Sequence, residues 1–482
     1  MAKRIILALV LMAGTAGCSF EPPYHPPVTP IPAAYKEIGP WQIAVPAGSA
    51  SKGDWWTVFG DATLNALETR IESDNPTLAG ALARYDGARA ALGQARAGLL
   101  PSVSVDGNIT RNRQSDNRPL RGSSQPDVYN ADTVEAGLGY ELDLWGRVRN
   151  TVAAGRASAQ ASGDDLAAIR LSLQAELASD YMALRGYDRQ RDLLTQTVDA
   201  FAQADHLITR RFQAGIASGI ETSRSGAQLA EVRAQLADVA AARALTEHAI
   251  ASLTGTPASD FSIPVAVTDF VLPAVPPGIP STLLERRPDI AAAERRVAAA
   301  NAGIGVAKAA FFPAISLGVS GGFQNTALPG LISAPNSIWS IGPGALLNLF
   351  DGGRRHAELA AARTRWASAG ADYRGAILSA FQQVEDDLAQ LHHLGDEAVA
   401  EDEAVQQAAI TERLSLNRYS KGAVTYLEVF TAQTTALRAR RAALDLKTRR
   451  LQASIRLIRA LGGGWRPEDD MPNVATAPTP TS

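Results

Sequence analysis

The sequence is short of several things, and each shortage narrows what the chain can be. Of its 482 residues one is a cysteine, Cys18, so no disulfide can form within the chain. Aromatic residues make up only 6%, while Ala and Gly abound; that mixture suits long, closely packed helices better than a thick globular core. Excess charge of either sign is missing too. A formal net charge of −3 argues against a nucleic-acid partner held by phosphate neutralisation. No catalytic constellation stands out. His392 and His393 are adjacent on an expected helix, where successive side chains diverge by about 100°, so a solvated face is favoured over a metal site. Gly303-Ile304-Gly305 lacks the rest of a phosphate-loop pattern and reads as close helix packing. No enzyme activity, metal or cofactor is expected, apart from a covalent lipid argued next.

The N-terminus sets the compartment. Lys3 and Arg4 precede an apolar run from Ile5 to Met12, and small residues then lead to Cys18. This is the pattern of a secretory signal. The run is too short to span a bilayer, which takes about 20 residues. Cys18 directly follows Thr15-Ala16-Gly17, which resembles the lipobox of bacterial lipoproteins, whose cysteine is acylated. Ser19 stands where an inner-membrane retention aspartate would be. The expectation is an outer-membrane lipoprotein, anchored in outer-membrane lipid but not spanning it through this segment.

Slid against itself, the chain shows two copies of one unit. Pro76 to Ser104 aligns without a gap with Pro288 to Ser316, and Pro101 falls on Pro313. "LDLWGRVR" (142–149) matches "LNLFDGGRR" (347–355), and "RRFQAGIAS" (210–218) matches "NRYSKGAVT" (417–425), in the same order. Each copy opens with a helix, expected near Leu64–Leu99 and Leu283–Phe311. The proline ends it, and alternation begins: Val103, Val105, Gly107 and Ile109, then Ile315, Leu317, Val319, Gly321 and Phe323. Polar loops are expected near Arg111–Ala131 and Gln324–Asn336. Returning strands follow, with Val134, Ala136, Leu138, Tyr140, Leu142 and Leu144 on one face, and Trp339, Ile341, Ala345, Leu347 and Leu349 on the other copy's.

Alternation alone fits a half-buried soluble strand or a transmembrane barrel strand. The secretory context and aromatics near strand ends, Trp145 and Phe350, point to the barrel. Arg147 to Phe212 then runs without a proline and with a helical stripe, roughly 100 Å of helix. A glycine turn reverses it into a second helix ending at Gly255 in one copy and Gly464 in the other.

Four strands cannot close a membrane barrel, which needs at least about eight, and open edges in lipid cost several kcal/mol per unpaired group. Several chains must share one barrel, though closure alone does not fix how many. "DWWTVFGDATLNAL" (54–67) and "ERRPDIAAAERRVAAANAGIGVAKAAFFPAISL" (285–317) resemble motifs of the NodT-type outer-membrane efflux lipoproteins, in the TolC-like superfamily of channel-tunnels. That resemblance implies an α+β membrane protein: a homotrimer with one shared twelve-stranded β-barrel, four strands per chain, continued by a long α-helical periplasmic barrel. It also implies a periplasmic adaptor (membrane fusion) protein and an inner-membrane, proton-driven transporter of the RND type as partners. The implied function is the exit duct of a tripartite efflux pump. The same fold serves polypeptide secretion, but the motifs favour small-molecule efflux.

By position, the resemblance makes Glu221, Glu428 and Tyr419 candidates for a periplasmic gate, and the turns at Gly215, Ala217, Gly422 and Ala423 candidates for adaptor contact. A solvated helix face is the alternative for both glutamates. The expected division begins with a signal peptide over 1–17 and an acylated tether over 18–62. Repeat one covers 63–255 with its hairpin near 101–145, and a linker covers 256–281. Repeat two covers 282–464 with its hairpin near 313–350, leaving a disordered tail over 465–482.

Overall fold

A computed structural model describes residues 19–37, 53–117, 126–273, 275 and 286–465. The expected signal peptide, Cys18 and the tail past Trp465 lie outside them, as do parts of the tether and of the linker.

Within the described residues, each repeat builds its elements to nearly one specification. Repeat one contains α1 (Ala62–Asp74), α2 (Pro76–Ala97), β1 (Ser102–Arg113), β2 (Val128–Leu142), α3 (Arg147–Gln213) and α4 (Gly219–Leu253). Repeat two contains α5 (Pro288–Ala309), β3 (Ala314–Asn325), β4 (Ser337–Leu346), α6 (Arg354–Ser420) and α7 (Tyr426–Ala460). The long helices α3 and α6 both have 67 residues, and α4 and α7 both have 35. Each strand that opens a hairpin starts just after its proline, Pro101 or Pro313.

Two expectations need correction. The helix expected near Leu64–Leu99 is two helices broken at Asn75, whose ψ of 119° is extended. Pro76 disfavours a helical residue before it, and the Asn75 side chain consolidates the break. Its Nδ2 donates to the Leu253 carbonyl at 2.7 Å, and its Oδ1 accepts from the Leu78 N–H at 2.9 Å. The loop expected over Arg111–Ala131 is also too wide. Arg111, Asn112 and Arg113 pair with Asn130, Tyr129 and Val128, because a ladder continues on backbone hydrogen bonds where apolar alternation has stopped.

The chain divides into two compact units, each drawing on both repeats. One, from 1–28, 85–162 and 292–373, holds the sheet. The other, from 29–84, 163–291 and 374–482, centres on Trp55, Leu64, Ile71, Leu177, Tyr181, Ile250 and Ile455. There the repeats build the same joint twice. Arg287, the residue before Pro288, donates to the Ala460 carbonyl at 3.0 Å, as Asn75 does to Leu253. Gly255 and Gly462 follow those helix ends with φ of 64° and 93°. A Cβ on either would collide with a backbone carbonyl, of Asp74 or of Arg286.

A buried ionic cluster clamps the described part of the linker. Asp188, 0% exposed, receives Arg185 at 2.9 Å and Arg243 at 2.7 Å. Arg185 donates to the Pro264 carbonyl, Arg243 to that of Ile263, and the Ala266 N–H donates to Asp188.

Glu68 is the opposite case: fully buried, with both carboxylate oxygens lacking a partner. Burial first, then the charge of Glu72, pushes its carboxyl up to about 9. The folded chain therefore holds a proton that the unfolded chain releases near pH 4.5, so stability falls as pH rises from there toward 9. Glu68→Gln should raise the denaturation midpoint, with a gain that grows between pH 5 and pH 8. Urea titrations at both values check this, and a pH-independent difference would contradict it.

Candidate functional site: a two-faced sheet and paired helix turns

The four strands form one antiparallel sheet in the order β1-β2-β3-β4. Its register lines up the residues of all four strands in rows. One face carries Val103–Leu138–Val319–Ile341 and Val105–Ala136–Gly321–Trp339, then Gly107–Val134–Phe323 and Tyr140–Leu317. Val103, Val105 and Trp339 are 72%, 74% and 79% exposed. The opposite face carries Ser102–Gly139–Gly318–Gly342 and Ser104–Gly137–Ser320–Ser340, and sets Asp106 against Glu135. A water-soluble sheet buries its apolar face; this one presents it. Val134 to Leu142 rises about 27 Å along the strand. Tilted by about 40°, it covers roughly 21 Å, close to the apolar band of about 25 Å on membrane barrels. Among the described residues no helix is long and apolar enough to cross a membrane.

The foot of the sheet is aromatic. The Trp145 indole N–H donates to the Pro313 carbonyl at 2.7 Å. Phe312 stacks on Trp145 with centroids 5.0 Å apart, and Phe20 stacks on Phe312 at 4.4 Å. The Ser19 hydroxyl donates to Asn150 at 3.0 Å. Residues 19 and 20 are thus fixed where helix becomes strand. Cys18 itself lies outside the described residues.

The helix turns repeat each other. Gly215 and Gly422 each have φ of 75°, a left-handed conformation that glycine adopts without strain. The Ile216 N–H returns to the Arg211 carbonyl at 2.8 Å, and the Ala423 N–H to that of Arg418 at 2.9 Å. Both are Schellman-type ends. The residues beyond them differ. Glu221 is tied into a capping box, accepting from the Ser218 N–H at 2.8 Å, while Ser218 Oγ accepts from the Glu221 N–H. Glu428 is exposed and lies 3.8 Å from Arg418, and Thr425 makes no side-chain cap.

Tyr419 joins the two turns. The Arg211 guanidinium lies 5.2 Å from its ring centroid, and its ring packs edge-on to Tyr426 at 5.7 Å. Burial raises the Tyr419 hydroxyl pKa; Arg211 opposes this, while the negative charge of Glu221 adds to it. Buried Tyr426 donates to Gln228 at 3.2 Å, and the Ser225 hydroxyl donates to Asp205 at 2.6 Å. The structure therefore joins Tyr419 to Arg211, ties Glu221 to Ser218 in its cap and leaves Glu428 with Arg418. Arg211 escaped the sequence reading; a basic residue in the last helical turn was the available signal.

His392 and His393 also differ from expectation. The divergence of about 100° applies to their Cα–Cβ bonds, but the rings turn back to within 5.2 Å of each other.

Comparison with known proteins agrees with this geometry. The family model described as outer membrane efflux protein matches residues 69–256 and 279–463. The outer membrane protein OprJ of Pseudomonas aeruginosa is 32% identical over 95% of this chain and 96% of its own. The pyoverdine export outer membrane protein OpmQ of the same species is 31% identical over 87% and 90%. A crystal structure of a membrane protein from Pseudomonas aeruginosa superposes with a TM-score of 0.84 at 31% identity, covering 92% of this chain and all of that one. The exposed apolar sheet and the long helices are those of an outer-membrane channel with a large periplasmic part, and the chain belongs to the outer membrane efflux protein family.

Proposed function

We propose that three copies of this chain assemble into one exit duct, which takes small molecules from a periplasmic adaptor and an RND-type inner-membrane transporter. The observation that carries this is the open sheet. Its apolar face is built for lipid, yet β1 and β4 have no outer neighbour among the described residues, and a membrane does not tolerate such edges. Three chains would close twelve strands and put the Gly/Ser face toward the lumen. The chain then has no enzymatic role; its work is passage. Cys18 would carry the lipid, and the anchored Ser19–Phe20 segment supports a membrane-side position for it. Native mass spectrometry of detergent-extracted protein tests the assembly: about three times 50.8 kDa is expected, and a monomer would overturn it.

The gate we propose centres on Tyr419 and Arg211, with Glu221 beside them and Glu428 as an outer ring. The exposed turns at Gly215, Ala217, Gly422 and Ala423 are left for the adaptor. An exposed cation–π contact is worth about 0.5–1 kcal/mol, so losing three should shift opening by roughly 10- to 150-fold. Tyr419→Ala should accordingly raise single-channel conductance or open time in planar bilayers. Unchanged currents would remove Tyr419 from the gate.

A further inference from the structure

Helix α6 and the segment 29–37 meet at a cluster that neither the sheet nor the turns use. On α6, His392 Nε2 lies 3.8 Å from Asp396 Oδ2. One ligating atom from each of His392, His393 and Asp396 lies within 4.8 Å of the other two. Zinc bonds of about 2.0–2.1 Å put tetrahedral ligands roughly 3.4 Å apart. Closing that gap takes only torsions of side chains on an open helix face.

The N-terminal segment offers a candidate fourth donor, Glu37. Glu385, on the same helix, accepts the backbone N–H groups of Lys36 at 2.8 Å and Glu37 at 3.0 Å. Glu37 is thereby held by its backbone while its carboxylate stays movable. That carboxylate pairs with Lys36 at 2.9 Å. Glu385 precedes His392 by about two helical turns, roughly 10 Å, so its hold on residues 36 and 37 sets Glu37 alongside the stretch of α6 that leads to the cluster. A solvent-exposed Lys–Glu pair is a weak competitor for a divalent ion.

We propose that His392, His393 and Asp396, joined by Glu37, bind a divalent transition-metal ion of the zinc class and staple the N-terminal segment to α6. Two imidazoles and two carboxylates neutralise a divalent charge and suit zinc or copper better than magnesium or calcium, which prefer all-oxygen sites. Bound metal would pull Glu37 away from Lys36 and cross-link it to residues at least 392 − 37 = 355 positions away in sequence.

The test uses purified full-length protein, stripped with chelator and titrated with zinc chloride by calorimetry. One ion per chain is expected, with affinity falling at least about 10-fold in Glu37→Gln and about 100-fold in the His392→Ala/His393→Ala double variant. Hydrogen exchange supplies a second readout: zinc should slow the Lys36 and Glu37 amides in the wild type and not in Glu37→Gln. No saturable binding below about 100 µM zinc, or binding unchanged in the double histidine variant, overturns the site. Binding lost in the histidine variant but unaltered in Glu37→Gln, with no amide protection, overturns the staple.

Discussion

Val319→Arg should abolish the assembled protein in outer-membrane fractions, while Ser320→Lys, its neighbour on the same strand, should leave it in place. Val319 sits mid-strand in an apolar row of four, between Leu138 and Ile341. Ser320 faces the other way, opposite Gly137 and Ser340, and its hydroxyl lies 3.1 Å from that of Ser340. An arginine on the lipid face near the bilayer midplane costs about 2–4 kcal/mol. Every copy in the proposed trimer would bear it, so the total approaches about 6–12 kcal/mol, as large as a typical domain's whole stability. The readout is heat-resistant oligomer on unboiled gels of membrane fractions. Loss only with Ser320→Lys would show that the faces are assigned the wrong way round, and equal tolerance of both would show that neither face meets lipid there.

Asp188→Asn should be the most damaging conservative change in the helical unit. The carboxylate is fully buried, bridges two guanidiniums, and accepts the Ala266 N–H. With its charge gone, Arg185 and Arg243 share a single counter-charge, Glu247, which lies 3.2 Å from Arg243. Breaking one side of a buried ionic group costs about 3–5 kcal/mol. Urea denaturation should register that loss, and limited proteolysis should open the segment around Ile263 to Ala266. The penalty comes from stranded charge rather than from a missing bond. Adding Arg185→Met to Asp188→Asn, which removes the guanidinium left unpaired and keeps the Arg243–Glu247 pair, should therefore recover much of it. A single variant as stable as the parent would refute the clamp.

Periodicity made the architecture legible, because both periods recur in both copies: an alternation of two across the strands and a helical stripe along Arg147 to Phe212. Prolines 101 and 313 marked the switch between them at the right residues. Legibility failed where backbone bonding outruns side-chain character. Arg111 to Arg113 look like loop yet stay on the ladder, and the Asn75 break is fixed by a carbonyl 178 residues away. The turns were located from Gly215 and Gly422, but the cross-packing of Arg211 on Tyr419 joins positions in different repeats that no local pattern relates. The rings of His392 and His393 come to 5.2 Å because bond directions along a helix do not fix where flexible rings end.

The bare edges of β1 and β4 also bear on the order of events during biogenesis. Among its described residues a lone chain leaves two rows of amides and carbonyls without a neighbouring strand, a template for pairing with any stray strand. Such a chain is safest when its first encounter is with its own kind. Confinement to a membrane surface provides this: chains held in a plane sample one another at a far higher effective concentration than chains free in three dimensions. On the proposal that Cys18 is acylated, the lipid does more than locate the finished channel. It shortens the interval in which an incomplete rim is available to the wrong neighbour.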